Sequence, residues 1–141
     1  MTKLYFPDVN VWFALAVADH PQNTSALAWW NEESSVVGFS RLTQLGLLRL
    51  LTTGAAMGGH PVTNEEAWSV YDEFLADNRV RVFPELPELD NFFRLHSAVR
   101  QASPKLWVAT YLAAHATANE ATLVTFDRAF ANYGVKCRIL T

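Results

Sequence analysis

The class of fold is indicated by the segment Leu4-Tyr5-Phe6-Pro7-Asp8-Val9-Asn10-Val11-Trp12. This segment passes from an apolar run into a helical pattern across one short turn. Leu4 to Phe6 predicts a short buried strand. Val9 to Val17 predicts a short helix, and the acidic residue Asp8 stands at the junction. A strand that leads directly into a helix is typical of α/β architecture.

The rest of the chain repeats this alternation of strand and helix. Further strands are predicted at Val36–Phe39, Val80–Phe83, Thr122–Thr125 and Lys136–Leu140. The further predicted helices are Pro21–Glu33, Arg41–Thr52, Asn64–Ala76, Leu89–Gln101, Lys105–Asn119 and a short one at Arg128–Tyr133. Ser103 and Pro104 suit the N-cap and N1 positions that open the helix Lys105–Asn119. We therefore expect one α/β domain over 1–141, with a central parallel sheet covered on both faces.

Composition narrows the class of protein. The chain has 141 residues, half of them apolar and 18% charged, which excludes intrinsic disorder. A net charge of −3 argues against binding nucleic acid by bulk electrostatics, although not against an enzyme that acts on one phosphodiester. With one cysteine, no signal-peptide pattern and no apolar stretch of membrane-spanning length, we expect a soluble cytoplasmic protein.

Two acidic residues follow predicted strands and are candidates for chemistry. Asp8 follows the first strand and Asp127 follows Thr122–Thr125, so both should lie at the same edge of a parallel sheet. Carboxylates that converge there suit Mg²⁺ or Mn²⁺, which prefer oxygen ligands. The alternative is structural, because Asp is a favoured helix N-cap and both residues precede a helix. The spacing alone does not distinguish metal ligands from helix caps.

Four blocks of sequence resemble one family. They are Phe6-Pro7-Asp8-Val9-Asn10-Val11-Trp12, Ser40-Arg41-Leu42-Thr43-Gln44-Leu45-Gly46-Leu47-Leu48-Arg49, Tyr111-Leu112-Ala113-Ala114 and Leu123-Val124-Thr125-Phe126-Asp127-Arg128-Ala129-Phe130. In this order and at these separations they are similar to PIN-domain ribonucleases, and more closely to the VapC toxins of toxin–antitoxin systems. The resemblance runs through nearly the whole chain.

The resemblance implies a PIN-like three-layer α/β/α domain, a homodimer, and a cytoplasmic endoribonuclease that hydrolyses RNA with Mg²⁺ or Mn²⁺. It also implies a cognate VapB-type antitoxin. The family cluster of four acids places its first and last members on Asp8 and Asp127. Its third acid falls on Ala109 and its second on Gln44 or Gly46. No Asp or Glu occurs between Glu33 and Glu65 or between Asp90 and Glu120, so no neighbouring acid replaces them.

Two functions remain open. In the first, the chain is a metal-dependent ribonuclease toxin that Ala109 impairs, whether Ala109 was introduced or arose naturally. In the second, it is a catalytically inactive PIN-like module that binds antitoxin or RNA. A phosphate-accepting receiver domain also uses strand-end Asp residues, but it requires an acidic pair beside the first strand, and Asp8 stands alone.

Several polar residues of the family blocks are candidate neighbours of the site or of substrate. They are Asn10, Ser40, Thr43, Gln44, Thr125, Arg49 and Arg128. Ser40 and Thr43 suit helix capping equally well. Among the tryptophans, Trp12 is a candidate for RNA contact because it is close to Asp8, whereas Trp30 and Trp107 should pack in the core or in a dimer.

Overall fold

The fold is built on a five-stranded parallel sheet. The computed structural model describes residues 3–33 and 35–141, so positions 1, 2 and 34 of the predicted 1–141 domain lie outside it. The strand order is β3-β2-β1-β4-β5, and every neighbouring pair is parallel. The strands are β1 (Leu4–Pro7), β2 (Val36–Phe39), β3 (Val80–Val82), β4 (Thr122–Thr125) and β5 (Cys137–Ile139). The predicted parallel sheet is confirmed.

Helices cover both faces of this sheet. They are α1 (Val9–Ala16), α2 (Asn23–Glu32), α3 (Arg41–Leu51), α4 (Asn64–Ala76), α5 (Leu89–Ser97) and α6 (Leu106–Ala118), with a 3-10 helix at Arg128–Asn132. Successive strand residues point to opposite faces, so Tyr5 joins the core beneath α1 to α4 and Phe6 joins the core beneath α6. The predicted three-layer arrangement is therefore confirmed.

The tryptophans divide between the core and the surface. Trp12 is fully buried and stacks on Phe39 with ring centroids 3.7 Å apart, so the prediction that it contacts RNA is wrong. Trp30 packs against the same core, as predicted. Trp107 is 58% exposed, which excludes the core and leaves dimer packing open.

The connection between α5 and α6 differs from the prediction. α5 ends at Ser97 instead of Gln101, because Ala98 turns to ψ 62° and the Ser97 hydroxyl donates to the Phe93 carbonyl. Ser103 does not cap α6; its hydroxyl lies 3.5 Å from the Gln101 carbonyl, and Lys105 is the N-cap residue. Within the described ranges, no helix has the length and apolar character needed to cross a membrane.

Candidate active-site cleft

Asp8 lies at the carboxyl end of β1 and caps α1. Its Oδ1 accepts a hydrogen bond from the Val11 backbone N–H at 3.1 Å, and its Oδ2 accepts one from the Thr125 hydroxyl. The residue is only 6% exposed. Burial raises the pKa of the Asp8 carboxyl, and the hydrogen bonds from Thr125 and Val11 oppose that shift. Asp8 is thus a helix cap and a site candidate at once.

Thr125 links the two acids. Its hydroxyl donates to Asp8, and its oxygen accepts the Asp127 backbone N–H at 3.0 Å. Asp127 in turn accepts the Ala129 N–H at 2.9 Å through Oδ1 and so caps the 3-10 helix. Unlike Asp8, Asp127 is exposed, and its charge contributes to the raised pKa of Asp8.

Both acids line one cleft of about 220 Å³, which we call the acidic cleft. It opens between β1 and β4, where the strand order reverses direction, and this is the place where parallel α/β sheets bind ligands. Its lining residues are Asp8, Val9, Asn10, Lys105, Val108, Ala109, Leu112, Asp127 and Phe130. The structure therefore brings Asn10 and Ala109 to the same cleft as the two acids.

Neither position that the resemblance gives to a second acid can supply a ligand here. Gln44 does not line the acidic cleft; it is 7% exposed, and its Oε1 accepts from Arg41 Nη1 at 2.6 Å in a different cleft. The expectation that Gln44 neighbours the site is wrong. At Gly46, an added Cβ would lie 2.6 Å from Val9 Cγ2, because α3 packs closely on α1. A side chain at 46 has no space.

The remaining polar candidates lie outside the acidic cleft. Ser40 and Thr43 are buried and form a capping box, in which each side chain accepts the other's backbone N–H, at 3.1 and 2.8 Å. Their capping role accounts for both residues. Arg49 and Arg128 are exposed, and neither lines the cleft.

Lys105 is the residue of the cleft that the sequence reasoning missed. It precedes Ala109 by four positions, one helical turn, so it lies on the same side of the start of α6. That spacing was available in the sequence as a signal. Lys105 thus brings a basic residue to the lining of a cleft that also contains two carboxylates.

The donor set does not fit a tightly held Mg²⁺ or Mn²⁺. Across residues 3–33 and 35–141, no group of three or more His, Cys, Asp or Glu side chains is placed to hold a metal ion. The acidic cleft offers two carboxylates, both already hydrogen-bonded as caps, beside a methyl group at Ala109 and the Lys105 ammonium. A divalent cation needs more oxygen ligands and more negative charge than this.

Comparison with known proteins identifies the family of the chain. The PIN-domain family model matches residues 5–136. The chain belongs to the PIN-domain family. This PIN domain is also 38% identical over 140 residues to Ribonuclease VapC41 of Mycobacterium tuberculosis, with 94% of this chain and 96% of the relative covered. That identity confirms the VapC resemblance.

Solved structures of VapC proteins share the fold of this PIN domain. VapC20 of Mycobacterium tuberculosis, described as a sarcin–ricin loop cleaving toxin, aligns with a TM-score of 0.67 at 21% identity, over 93% of this chain and 95% of that one. VapBC2 of Rickettsia felis, solved with a promoter DNA fragment, aligns with a TM-score of 0.66 at 14% identity, over 98% and 99%. At these identities the similarity establishes the shared fold alone.

Proposed function

We propose that this chain is the toxin component of a type II toxin–antitoxin system, an endoribonuclease by descent whose cleavage of RNA phosphodiesters is impaired. One observation carries the proposal: Asp8 and Asp127 line one cleft at the reversal point of the sheet, and Ala109 lines the same cleft. The 38% identity to a VapC ribonuclease supports the activity class.

The impairment follows from charge and ligand number. An Asp at 109 would face Asp8 and Asp127 across the cleft and give a Mg²⁺ or Mn²⁺ ion a third carboxylate. Ala109 removes that ligand, and the cleft lining adds no further acid in its place. When bound, such an ion lowers the pKa of a coordinated water and stabilises charge on phosphoryl oxygens. This chain's own part is to hold Asp8 in place through Thr125 and Val11.

The partner we propose is a cognate VapB-type antitoxin. A groove of about 310 Å³ lies between α1, α2 and α4 and is lined by Leu15, Trp30, Phe74 and Glu73, together with Asp77, which is ion-paired with Arg79. Apolar side chains beside the acidic Glu73 suit an amphipathic segment that carries a basic residue. The VapBC complexes among the structural relatives support such a partner.

We also propose that the chain is a cytoplasmic homodimer. Trp107 and Val108 begin α6 and are 58% and 53% exposed, beside the equally exposed Leu45 of α3 at 55%. These three side chains border a groove of about 370 Å³, and Arg41 and Glu85 also line it. Large apolar side chains that cluster on a surface are typical of an interface with another protein.

The test of the proposed function is RNA cleavage by the Ala109→Asp variant. We expect the variant to cleave RNA in Mg²⁺ and to lose that activity in EDTA, while the unmodified chain cleaves far more slowly. Ala102→Asp adds the same charge at an exposed position outside the cleft and is the matched control. Equal metal-dependent cleavage by the unmodified chain would overturn the impairment.

A second candidate function is a PIN-like module that binds antitoxin or RNA without cutting. Lys105 favours it, because a cation on the wall of the acidic cleft suits binding of a phosphate better than binding of a metal. Binding of antitoxin or RNA by the Ala109→Asp variant, with no cleavage in Mg²⁺ or Mn²⁺, would favour this function over the first.

A further inference from the structure

A second polar cleft opens at the carboxyl edge of the sheet, beside β2 and β3. We call it the Arg41 cleft; it measures about 330 Å³ and shares no lining residue with the acidic cleft. Arg41 and Glu85 also line the groove proposed for the dimer, so both residues stand at the boundary between that groove and this cleft. Its lining residues are Ser40, Arg41, Gln44, Tyr71, Val82, Phe83, Pro84 and Glu85. Helix capping accounts for Ser40, but nothing in the proposed cleavage reaction uses Arg41, Gln44, Tyr71 or Glu85.

Gln44 holds the Arg41 guanidinium, the hydrogen-bond donor of the Arg41 cleft, in position. Gln44 is only 7% exposed and its amide has two side-chain partners: Oε1 accepts from Arg41 Nη1 at 2.6 Å, and the amide also hydrogen-bonds to the Tyr71 side chain. A guanidinium has five N–H donors, so one bond to Gln44 orients Arg41 and leaves others for a ligand. Within the described ranges Arg41 forms no ion pair.

The Glu85 carboxylate is the hydrogen-bond acceptor of the Arg41 cleft. Its Oε1 accepts the Tyr111 hydroxyl at 2.8 Å, which orients the carboxylate and leaves Oε2 for a ligand. Burial, with the hydrogen bond and charge of Glu85, raises the pKa of the Tyr111 phenol, so Tyr111 keeps its proton and remains the donor. In the part of the chain that the structure describes, no Lys or Arg lies within ion-pair distance of Glu85.

A cleft that presents both the Arg41 guanidinium and the Glu85 carboxylate favours one class of ligand. A phosphate suits Arg41 but is repelled by Glu85, so an anion is disfavoured. A guanine base matches both groups, because its O6 and N7 accept from an arginine and its N1–H and N2–H₂ groups donate to a carboxylate. Phe83, Val82 and Pro84 supply apolar surface for the base. Adenine lacks the O6 acceptor and the N1–H donor.

We propose that the Arg41 cleft binds a guanine base of single-stranded RNA, next to the phosphodiester that enters the acidic cleft. The acidic cleft lies between β1 and β4 and the Arg41 cleft beside β2 and β3, two strand spacings away, or about 10 Å. One or two extended nucleotides cover that span. The inference rests on the proposed function, since it assigns a base preference to the RNA substrate.

The test is binding of short labelled RNAs in EDTA, where the missing metal prevents cleavage. Fluorescence anisotropy compares three hexaribonucleotides, oligouridines with a single internal guanosine, inosine or adenosine. We expect the unmodified chain to bind the guanosine probe about tenfold more tightly than the adenosine probe, with inosine between them. Inosine lacks only the N2 amino group, so it isolates the contact with Glu85.

Two variants with matched controls identify the residues. Glu85→Gln should bind the guanosine and inosine probes equally, and Arg41→Gln should lose most of the preference for guanosine over adenosine. Glu88→Gln and Arg81→Gln make the same changes at exposed positions that do not line the cleft, and both should retain the preference. All four altered residues are exposed, so each variant is expected to fold, which circular dichroism checks.

Equal binding of the three probes by the unmodified chain would overturn the inference, as would a preference that survives in Glu85→Gln or disappears in Glu88→Gln. Absence of binding to all three would overturn it too. The proposed function is decided separately, by cleavage with Ala109→Asp. RNA cleaved by that variant without guanine-dependent binding would retain the function and reject this inference.

Discussion

The Thr125 hydroxyl donates a hydrogen bond to Oδ2 of Asp8, across 117 positions of sequence. The same oxygen accepts the Asp127 backbone N–H, so one buried side chain sets the position of both acids in the cleft. Asp8 reaches this arrangement because β1 and β4 are neighbours in the sheet, with Pro7 opposite Val124.

Replacing Thr125 with valine should destabilise the protein. The change keeps the shape of the side chain but leaves the buried Asp8 Oδ2 and the Asp127 N–H without their partner. Leaving buried polar groups unpaired costs about 1–3 kcal/mol, which urea unfolding measures. Thr122→Val is the control, because Thr122 is in the same strand and its hydroxyl makes no side-chain hydrogen bond within the described ranges. Equal losses in both variants would contradict this role of Thr125.

Sequence alone predicted the sheet and the two acids because both depend on local patterns. Short apolar runs mark buried strands, and acids that follow parallel strands meet at one edge. Prediction from sequence failed where tertiary packing determines the position of a side chain. Trp12 is near Asp8 in sequence, yet its position on α1 faces Phe39 in the core. Gln44 follows the family register, yet its amide binds Arg41 and Tyr71 away from the acids.

Gly46→Ala should destabilise the protein by about 1–3 kcal/mol, because the new methyl group overpacks the contact between α3 and α1. Its Cβ would lie 2.6 Å from Val9 Cγ2, and the β-branched Val9 has little rotamer freedom to move away. At Gly54 an added Cβ meets nothing within 4 Å, so Gly54→Ala should change stability by roughly 0.5 kcal/mol or less. Thermal unfolding distinguishes them. A neutral Gly46→Ala would contradict the close contact between α3 and α1 at this position.

Stability should fall below neutral pH because of His115. The ring is fully buried between Phe6 and Tyr111, and burial lowers its pKa, against the raising effects of Glu85 and the Phe83 backbone. The unfolded chain therefore takes up a proton near pH 6.5 while the folded chain stays neutral, so stability present above about pH 6.5 is lost as pH falls toward the folded-state pKa.

The measurement is the urea midpoint between pH 7.5 and pH 5. His115→Phe should flatten its dependence on pH, whereas His60→Gln, at an exposed loop position, should leave it unchanged. An unchanged pH dependence in His115→Phe would show that other groups cause it.

Trp107→Lys should convert the proposed dimer to monomer, since it places a charge in the exposed apolar cluster with Leu45 and Val108. Light scattering after size-exclusion chromatography gives the mass. Leu95→Lys alters a side chain that is 72% exposed on α5 and does not border that groove, so it should leave the mass unchanged. A dimer that persists in Trp107→Lys would exclude this face.

If the acidic cleft is a PIN site that lacks a metal ligand at position 109, restoring an acid there should restore metal binding. Titration calorimetry with Mn²⁺ measures this on the unmodified chain, Ala109→Asp and the control Ala102→Asp. We expect Ala109→Asp to bind Mn²⁺ at least about tenfold more tightly than the other two. Equally tight binding of one ion by the unmodified chain would contradict it.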